Sequence, residues 1–344
     1  MNFWNLSKQQ KNRKQFDVVS IGSATHDVYI ESPEVTIKKD SNFVTGSAMC
    51  FGAGAKVNVD DVHFRTGGSA VNTAVTFAHQ GLKTSIFCKV GNDFLGEAIR
   101  KRLKEALVNT DNIRMGDAVG TAYSVIIHAP SGERSIFAYR GISSHIERKE
   151  FDFSLLKKTN WIFVSHLANE SAKLFEPILY EANKRGVRVA LNPGSTQLNS
   201  GEKFAHLLKY VDILFVNQEE ASILTGIDFK KERQVFEKLD EWVEGIAVMT
   251  KGKNGVIISD GKTRWAAGIL KEKKFIDRTG AGDAFAAAFT TAIIKGGTVE
   301  DALQLGSANA TALLSAWGSN EGLLTIRDSV NKFGKLGIKK EVLS

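Results

Sequence analysis

Short apolar runs alternate along this chain with longer stretches in which apolar residues return every third or fourth position. The runs at 18–21, 85–90, 161–164, 187–191, 213–216, 246–250 and 256–259 are rich in β-branched and aromatic residues and predict buried strands. Helical periodicity covers 70–79, 94–105, 172–184 and 232–242. This alternation predicts right-handed βαβ units and a mostly parallel sheet covered by helices on both faces. Ligands of such a sheet bind beyond the carboxyl ends of its strands. Two stretches break the pattern. Residues 28–64 carry strand-like pieces and no helical period, and runs at 121–129 and 135–139 flank Pro130-Ser131-Gly132-Glu133-Arg134, which reads as a hairpin turn. Both pieces leave the α/β body and return to it.

One further apolar run, the alanine-rich 284–294, predicts a buried helix stopped by Gly296-Gly297. It is headed by Asp277-Arg278-Thr279-Gly280-Ala281-Gly282-Asp283. The N–H groups that open a helix lack intrahelical partners and carry a partial positive charge, and glycines let a phosphate approach them closely. Asp283 would repel that anion. A carboxylate there suits a group that takes a proton from a hydroxyl attacking the phosphate. Asp and Gly also make ordinary helix caps, so this segment alone leaves a structural reading open. A second glycine pair, Gly67-Gly68, opens another apolar helix with Asn72 one turn in, and the run 18–21 ends at Gly22 with Asp27 shortly beyond.

With 344 residues, 43% hydrophobic and 24% charged, the composition is that of a globular protein with a sizeable core. The net charge of +7 gathers partly in Lys8, Lys11, Arg13 and Lys14 of an expected flexible basic leader, residues 1–15, and partly in Lys335, Lys339 and Lys340. No zinc-finger spacing or aromatic-basic motif accompanies it, so nucleic acid is not an expected partner. Two cysteines, Cys50 and Cys88, build neither a disulfide framework nor a thiolate metal site. No apolar stretch reaches membrane-spanning length, and residues 1–8 lack a signal-peptide core, so no membrane and a cytoplasmic location are expected. Gly261-Lys262-Thr263 mimics the end of a P-loop, but a strand-like run separates it from Gly255. No Gly-x-Gly-x-x-Gly follows the first strand, which disfavours a dinucleotide enzyme.

Taken in order, Gly22 to Asp27, Gly67-Gly68 with Asn72, Val90-Gly91-Asn92-Asp93-Phe94-Leu95-Gly96, Asn217 with Glu220, and Asp277 to Asp283 resemble the ribokinase-like, or PfkB, family of carbohydrate and nucleoside kinases. The resemblance runs from Phe16 almost to the end. It implies a three-layer α/β/α fold with a mostly parallel central sheet, spanning 16–344, and a small β-sheet lid inserted at about 28–66 and 121–141. Gly67-Gly68 would serve as the lid hinge. The first insertion is longer than is usual for a ribokinase, which suits a larger lid, a homodimer built through it, or a surface loop.

The resemblance also implies roles. Asp283 is the expected base, with Gly280, Ala281 and Gly282 as the anion hole; Asp27, Gly67, Gly68 and Asn72 would contact substrate hydroxyls, and Arg140 would reach the acceptor or pair within the lid. Asn217 and Glu220 would organise Mg²⁺, mostly through water. Thr250, Gly252 and Gly255 belong to the turn expected along ATP, and Ser307 and Asn309 lie where the family meets adenine, or are packing residues. Asp277 and Thr279, with Trp317-Gly318-Ser319, match a K⁺ site of many relatives, although Arg278 replaces a usual small residue there. After the run 161–164 come Ser165, His166 and Leu167 and no acid before Glu170, which counts against ribose itself. The implied function is transfer of phosphate from ATP to the hydroxymethyl group of a sugar. The alternatives are a nucleoside kinase, with Phe43, Phe51 or Phe137 lining the lid, and a silent sensor, which the intact Asp283 and Gly280–Gly282 disfavour.

Overall fold

The computed structural model describes residues 14–43, 46–272 and 274–343. The expected leader lies outside the described residues apart from Lys14 and Gln15. Lys14 already belongs to the fold, its ammonium donating to Thr159 O at 2.7 Å.

Nine strands form the central sheet, in the order Ile338–Val342, Thr263–Ala267, Val256–Ser259, Ile246–Thr250, Ile213–Asn217, Arg188–Leu191, Thr159–Val164, Phe16–Ile21 and Thr84–Phe87. From Ile246–Thr250 to Thr84–Phe87 every pairing is parallel. The other three strands are antiparallel. Alternation along the strands sorts the core into two layers, as a period of two requires. Ile162, Val164, Leu214 and Val216 pack with Ile178, Leu179, Val235 and Phe236 of the helices Phe175–Lys184 and Glu232–Trp242. Their strand neighbours Trp161, Phe163, Ile213 and Phe215 pack on the opposite face with Phe77, Phe285, Phe289 and Leu303. Those residues come from the helices Ser69–His79, Ala281–Ile294 and Val299–Leu313.

Three departures from the sequence expectation have local causes. The run 85–90 divides at Cys88 into Thr84–Phe87, in the main sheet, and Lys89–Gly91, which pairs with Arg114–Gly116. The helical stretch 172–184 begins as a 3₁₀ turn, Asn169–Leu174, and becomes α-helical at Phe175. Pro177 then sits in the first turn, where a missing N–H costs no intrahelical bond. The strand Thr263–Ala267 and the edge strand Ile338–Val342 beside it have no counterpart among the expected elements.

A separate four-stranded sheet takes the order Arg134–Tyr139, Tyr123–His128, Thr25–Glu31 and Asp61–Gly67. The hairpin and both ends of the first excursion therefore pair as one sheet. The extra length of that excursion folds as an antiparallel ribbon, Thr36–Lys39 with Ser47–Cys50. Cross-strand register separates the faces of the small sheet. Val62, Phe64, Val28, Val125, Phe137, Tyr123 and Tyr139 share one face, and Asp27, Tyr29, Ser124, His128 and Arg134 share the other. The second face lies toward the α/β body, where Tyr29 is fully buried.

Candidate active site

Gly280 opens the helix Ala281–Ile294 in the left-handed conformation, φ 82°, and no side chain caps that end. Asp283 is therefore not the cap. It occupies the first turn, and its Oδ2 accepts a 2.8 Å hydrogen bond from Asn72 Nδ2. Asn72 Oδ1 in turn accepts from Ser319 Oγ at 2.9 Å and Asn320 Nδ2 at 3.1 Å. The Asn72 amide, expected to meet substrate, thus uses its oxygen and one N–H within the protein and holds Asp283. Burial lifts the Asp283 carboxyl to about 6; Asn72 opposes that rise and the charge of Glu220 adds to it.

Asp27 stands on the small-sheet strand Thr25–Glu31, nearly buried, with Oδ1 accepting from Thr25 Oγ1 at 3.1 Å. Burial raises its carboxyl to about 6, partly offset by bonds from Ser124 and Thr25 and reinforced by Asp277. Gly67 is required beside it because a Cβ there would overlap the Asp27 carboxylate. Gly68, φ 90°, joins that strand to the helix Ser69–His79, and a Cβ on it would lie 2.6 Å from Ser23 O.

A cleft of about 390 Å³ lies against the turn that precedes Asp283. Thr250, Gly252, Lys253 and Gly255 line it on one side, Ser307, Ala310 and Thr311 on another, and Arg278, Ala281 and Gly282 at its end. Three separately expected groups thus meet around one space. Ala281 N–H is partly committed, closing the turn onto Arg278 O at 3.2 Å. Of the two lysines in the 250–255 turn, Lys251 is paired with Glu232, and Lys253 is the one at the cleft.

Other expected residues are placed differently. Asn309 is fully buried, donating to Ala284 O and accepting from Leu324 N, both at 2.9 Å; it clamps the packing of two helices and does not line the cleft. Asn217 and Glu220 form a reciprocal capping box, with Asn217 Oδ1 accepting from Glu220 N at 2.9 Å and Glu220 Oε2 from Asn217 N at 2.8 Å. Burial raises the Glu220 carboxyl. Among the described residues no group of three or more His, Cys, Asp or Glu is arranged to hold a metal. Arg140 is exposed, with Nη1 3.4 Å from His166 Nε2. Burial, then Arg140, lowers the His166 imidazole to about 4, so it is neutral at pH 7. Phe43, Phe51 and Phe137 are each more than half exposed. The outward-facing Phe137 is thus no lining of the site.

At the expected K⁺ position the protein's own groups engage one oxygen of Asp277 and leave Oδ2 without a hydrogen-bond partner. Asp277 Oδ1 accepts from Arg278 N at 2.8 Å and Thr279 Oγ1 at 3.0 Å, and Arg134 Nε of the small sheet already stands 3.9 Å from it. Arg278, the residue that departs from the family pattern, lines the nucleotide-sized cleft instead. Sequence reasoning missed Ser319 and Asn320 as the supports of Asn72, and Arg134 as the partner of Asp277. Ser319 is legible only as part of the turn matched to the K⁺ region and Arg134 only as the end of a hairpin turn, because their partners lie far away in the chain.

Residues 15–326 match the pfkB family carbohydrate kinase domain. The chain is 28% identical over 272 residues to ribokinase of Haemophilus influenzae, a match covering 77% of this chain and 86% of that protein. Its fold superposes on Arabidopsis thaliana ribokinase complexed with ribose and ATP with a TM-score of 0.76, at 22% identity, covering 92% of this chain and 98% of that one. The adenosine kinase of Sinorhizobium meliloti superposes with a TM-score of 0.75, at 22% identity, over 91% of this chain and 97% of the other. No helix among the described residues is long and apolar enough to cross a membrane. With the glycine-opened helix, its first-turn carboxylate and the cleft on one line, and the family match running through all of them, the chain belongs to the pfkB family of carbohydrate kinases and is a phosphotransferase.

Proposed function

We propose that this enzyme transfers the γ-phosphoryl group of ATP to the hydroxymethyl group of a sugar, with Asp283 as the base. The observation that carries this reading is the Asn72-held Asp283 carboxylate, set in the first turn of a helix whose first residues line the cleft. ATP lies along Thr250, Gly252, Lys253 and Gly255 with its base toward Ser307, and its phosphates reach Arg278 and the Gly280–Gly282 turn. The acceptor lies under the small sheet, its hydroxyls bonded to Asp27 and the backbone of Gly67 and Gly68. A carboxylate beside backbone donors and acceptors suits a polyol. Its primary alcohol gives its proton to Asp283 as the alcohol oxygen bonds to the γ-phosphorus and the β–γ bridging oxygen leaves with ADP. Backbone N–H groups at the helix start stabilise the charge growing on the phosphoryl oxygens. Asn217 and Glu220 are the residues that would hold Mg²⁺, which would supply positive charge to the phosphates.

The test is continuous ADP release with Mg-ATP against sugars, sugar phosphates and nucleosides. Turnover that requires a sugar supports the reading. Turnover that requires a nucleoside replaces it with the nucleoside kinase, and none on any acceptor removes it. The same assay carries a pH prediction. The base must be ionised to accept a proton, and its carboxyl lies near 6. Above that value kcat/KM is expected to be flat, and below it to fall about tenfold per pH unit. A flat profile down to about pH 5 would remove Asp283 from the base role.

The outward face of the small sheet exposes Phe64, Phe137, Tyr139, Tyr123 and Val62 side by side. This apolar face is assigned to a second copy of the chain, packed sheet to sheet about a two-fold axis. Sedimentation should give a dimer for the natural protein and a monomer for Phe64→Glu. A natural monomer would refute the assignment.

A further inference from the structure

Asp277 is the most deeply buried carboxylate next to the anion-hole turn, with 1% of its side chain exposed. It holds that turn in shape, since its Oδ1 accepts from both Arg278 N and Thr279 Oγ1 just before Gly280. A buried carboxylate needs a countercharge, because desolvation otherwise destabilises its ionised form. The charge that faces it comes from the other sheet. Arg134 begins the strand Arg134–Tyr139, directly opposite His128, and its guanidinium is mostly buried against Asp277.

The contact is close but incomplete. Arg134 Nε stands 3.9 Å from Asp277 Oδ1, and both Arg134 Nε and Asp277 Oδ2 are buried atoms without a hydrogen-bond partner. A guanidinium and a carboxylate that stand slightly more than a hydrogen bond apart, each with a buried atom left without a partner, mark a junction that tightens when the sheet moves inward. The rest of the junction has the character of a seat. Trp317 packs against the rings of His63 at 4.9 Å, His128 at 5.0 Å and Tyr29 at 5.8 Å, all from the small sheet. Arg65 Nε donates to Trp317 O at 3.1 Å, and Asn320 Nδ2 to Thr66 O at 2.7 Å. Ser319, between those two body residues, supports Asn72 and through it Asp283.

We infer that Arg134 is a positioning residue: it is the built-in countercharge of Asp277, and the pair couples the seating of the small sheet to the shape of the anion-hole turn. Binding of the acceptor under the sheet draws Arg134 onto Asp277, which fixes the Arg278–Gly280 backbone for phosphoryl transfer. The protein supplies from its own chain a positive charge that an inorganic cation would otherwise provide. Turnover is consequently indifferent to the identity of the monovalent cation. This inference rests on the phosphotransferase reading but not on which acceptor is used.

The test compares the natural enzyme with Arg134→Met, Arg134→Lys and the double variant Arg134→Met with Asp277→Asn. The natural enzyme should turn over equally with potassium, sodium or choline as the monovalent cation. Arg134→Met should lose about 5- to 150-fold in kcat, the usual size of coupling between two sites, with little change in the ATP dissociation constant measured by calorimetry. Millimolar guanidinium or potassium should restore part of that loss, and Arg134→Lys should keep most of the rate. The double variant, with both charges gone, should melt higher than Arg134→Met. That comparison keeps the test open if the single variant folds poorly. A potassium requirement in the natural enzyme would overturn the inference, as would an unchanged kcat in Arg134→Met or a loss that neither lysine nor added cations relieve. A natural enzyme without turnover on any acceptor would instead strike the phosphotransferase reading, while the melting comparison would still report on the charge pair.

Discussion

Replacing Asp283 by Asn is expected to lower kcat by about 10²- to 10⁴-fold, the usual contribution of a positioned base, while leaving the fold and ATP binding in place. Asparagine has the same size and keeps an oxygen to accept the 2.8 Å bond from Asn72. It lacks the carboxylate charge and cannot take a proton near neutral pH. Burial already disfavours that charge, as the elevated carboxyl of Asp283 indicates, so Asn is expected to leave the melting temperature unchanged or raise it. The sign matters. A residue retained only for stability would show the reverse, an unchanged rate with a lower melting temperature. Steady-state ADP release, a thermal melt and an ATP titration on the same preparation separate the two outcomes.

Gly280→Ala is expected to be nearly as damaging to the rate, and damaging to the fold as well. A methyl group at φ 82° adopts the left-handed region at a cost of about 1–3 kcal/mol. It would also sit 2.6 Å from both Cβ and O of Ser319, so one of the two segments must shift. Ser319 holds Asn72, which holds Asp283, and a displacement therefore reaches the base as well as the anion-hole N–H groups. Loss of a single oxyanion donor costs about 10²- to 10³-fold, and that is the fall expected in kcat, together with a lower denaturation midpoint. A substitution that left the rate intact would mean that the turn takes no part in the chemistry.

The fold was legible where burial leaves a one-dimensional trace. Parallel strands covered on both faces must be apolar throughout, so 213–216 and 246–250 stand out in the sequence and become Ile213–Asn217 and Ile246–Thr250. The edge strand Ile338–Val342 escaped because only one side of it meets the sheet, and Lys339, Lys340 and Glu341 read as solvated chain. At the site, Asp283, the glycine turn and the 250–255 segment were legible because their chemistry depends on backbone and spacing. The supports of the site were not. Ser319 lies 247 residues from Asn72, and Arg134 of the small sheet faces Asp277 in the loop before the helix Ala281–Ile294, so only the folded chain reveals that they meet. Asn309 illustrates the converse. The resemblance left it as an adenine contact or a packing residue, and its amide is used on two backbone groups inside the core.

The central claim is that a primary hydroxyl of a sugar receives the γ-phosphoryl group with Asp283 as the base. Its most direct test is identification of the product by phosphorus and carbon NMR after incubation of the natural enzyme and Asp283→Asn with Mg-ATP and the acceptor that supports ADP release. The account predicts one phosphomonoester per ADP, on the hydroxymethyl carbon, formed by the natural enzyme and all but absent with the variant. Inorganic phosphate in place of an ester, an ester at a ring hydroxyl, or equal product from Asp283→Asn would contradict it.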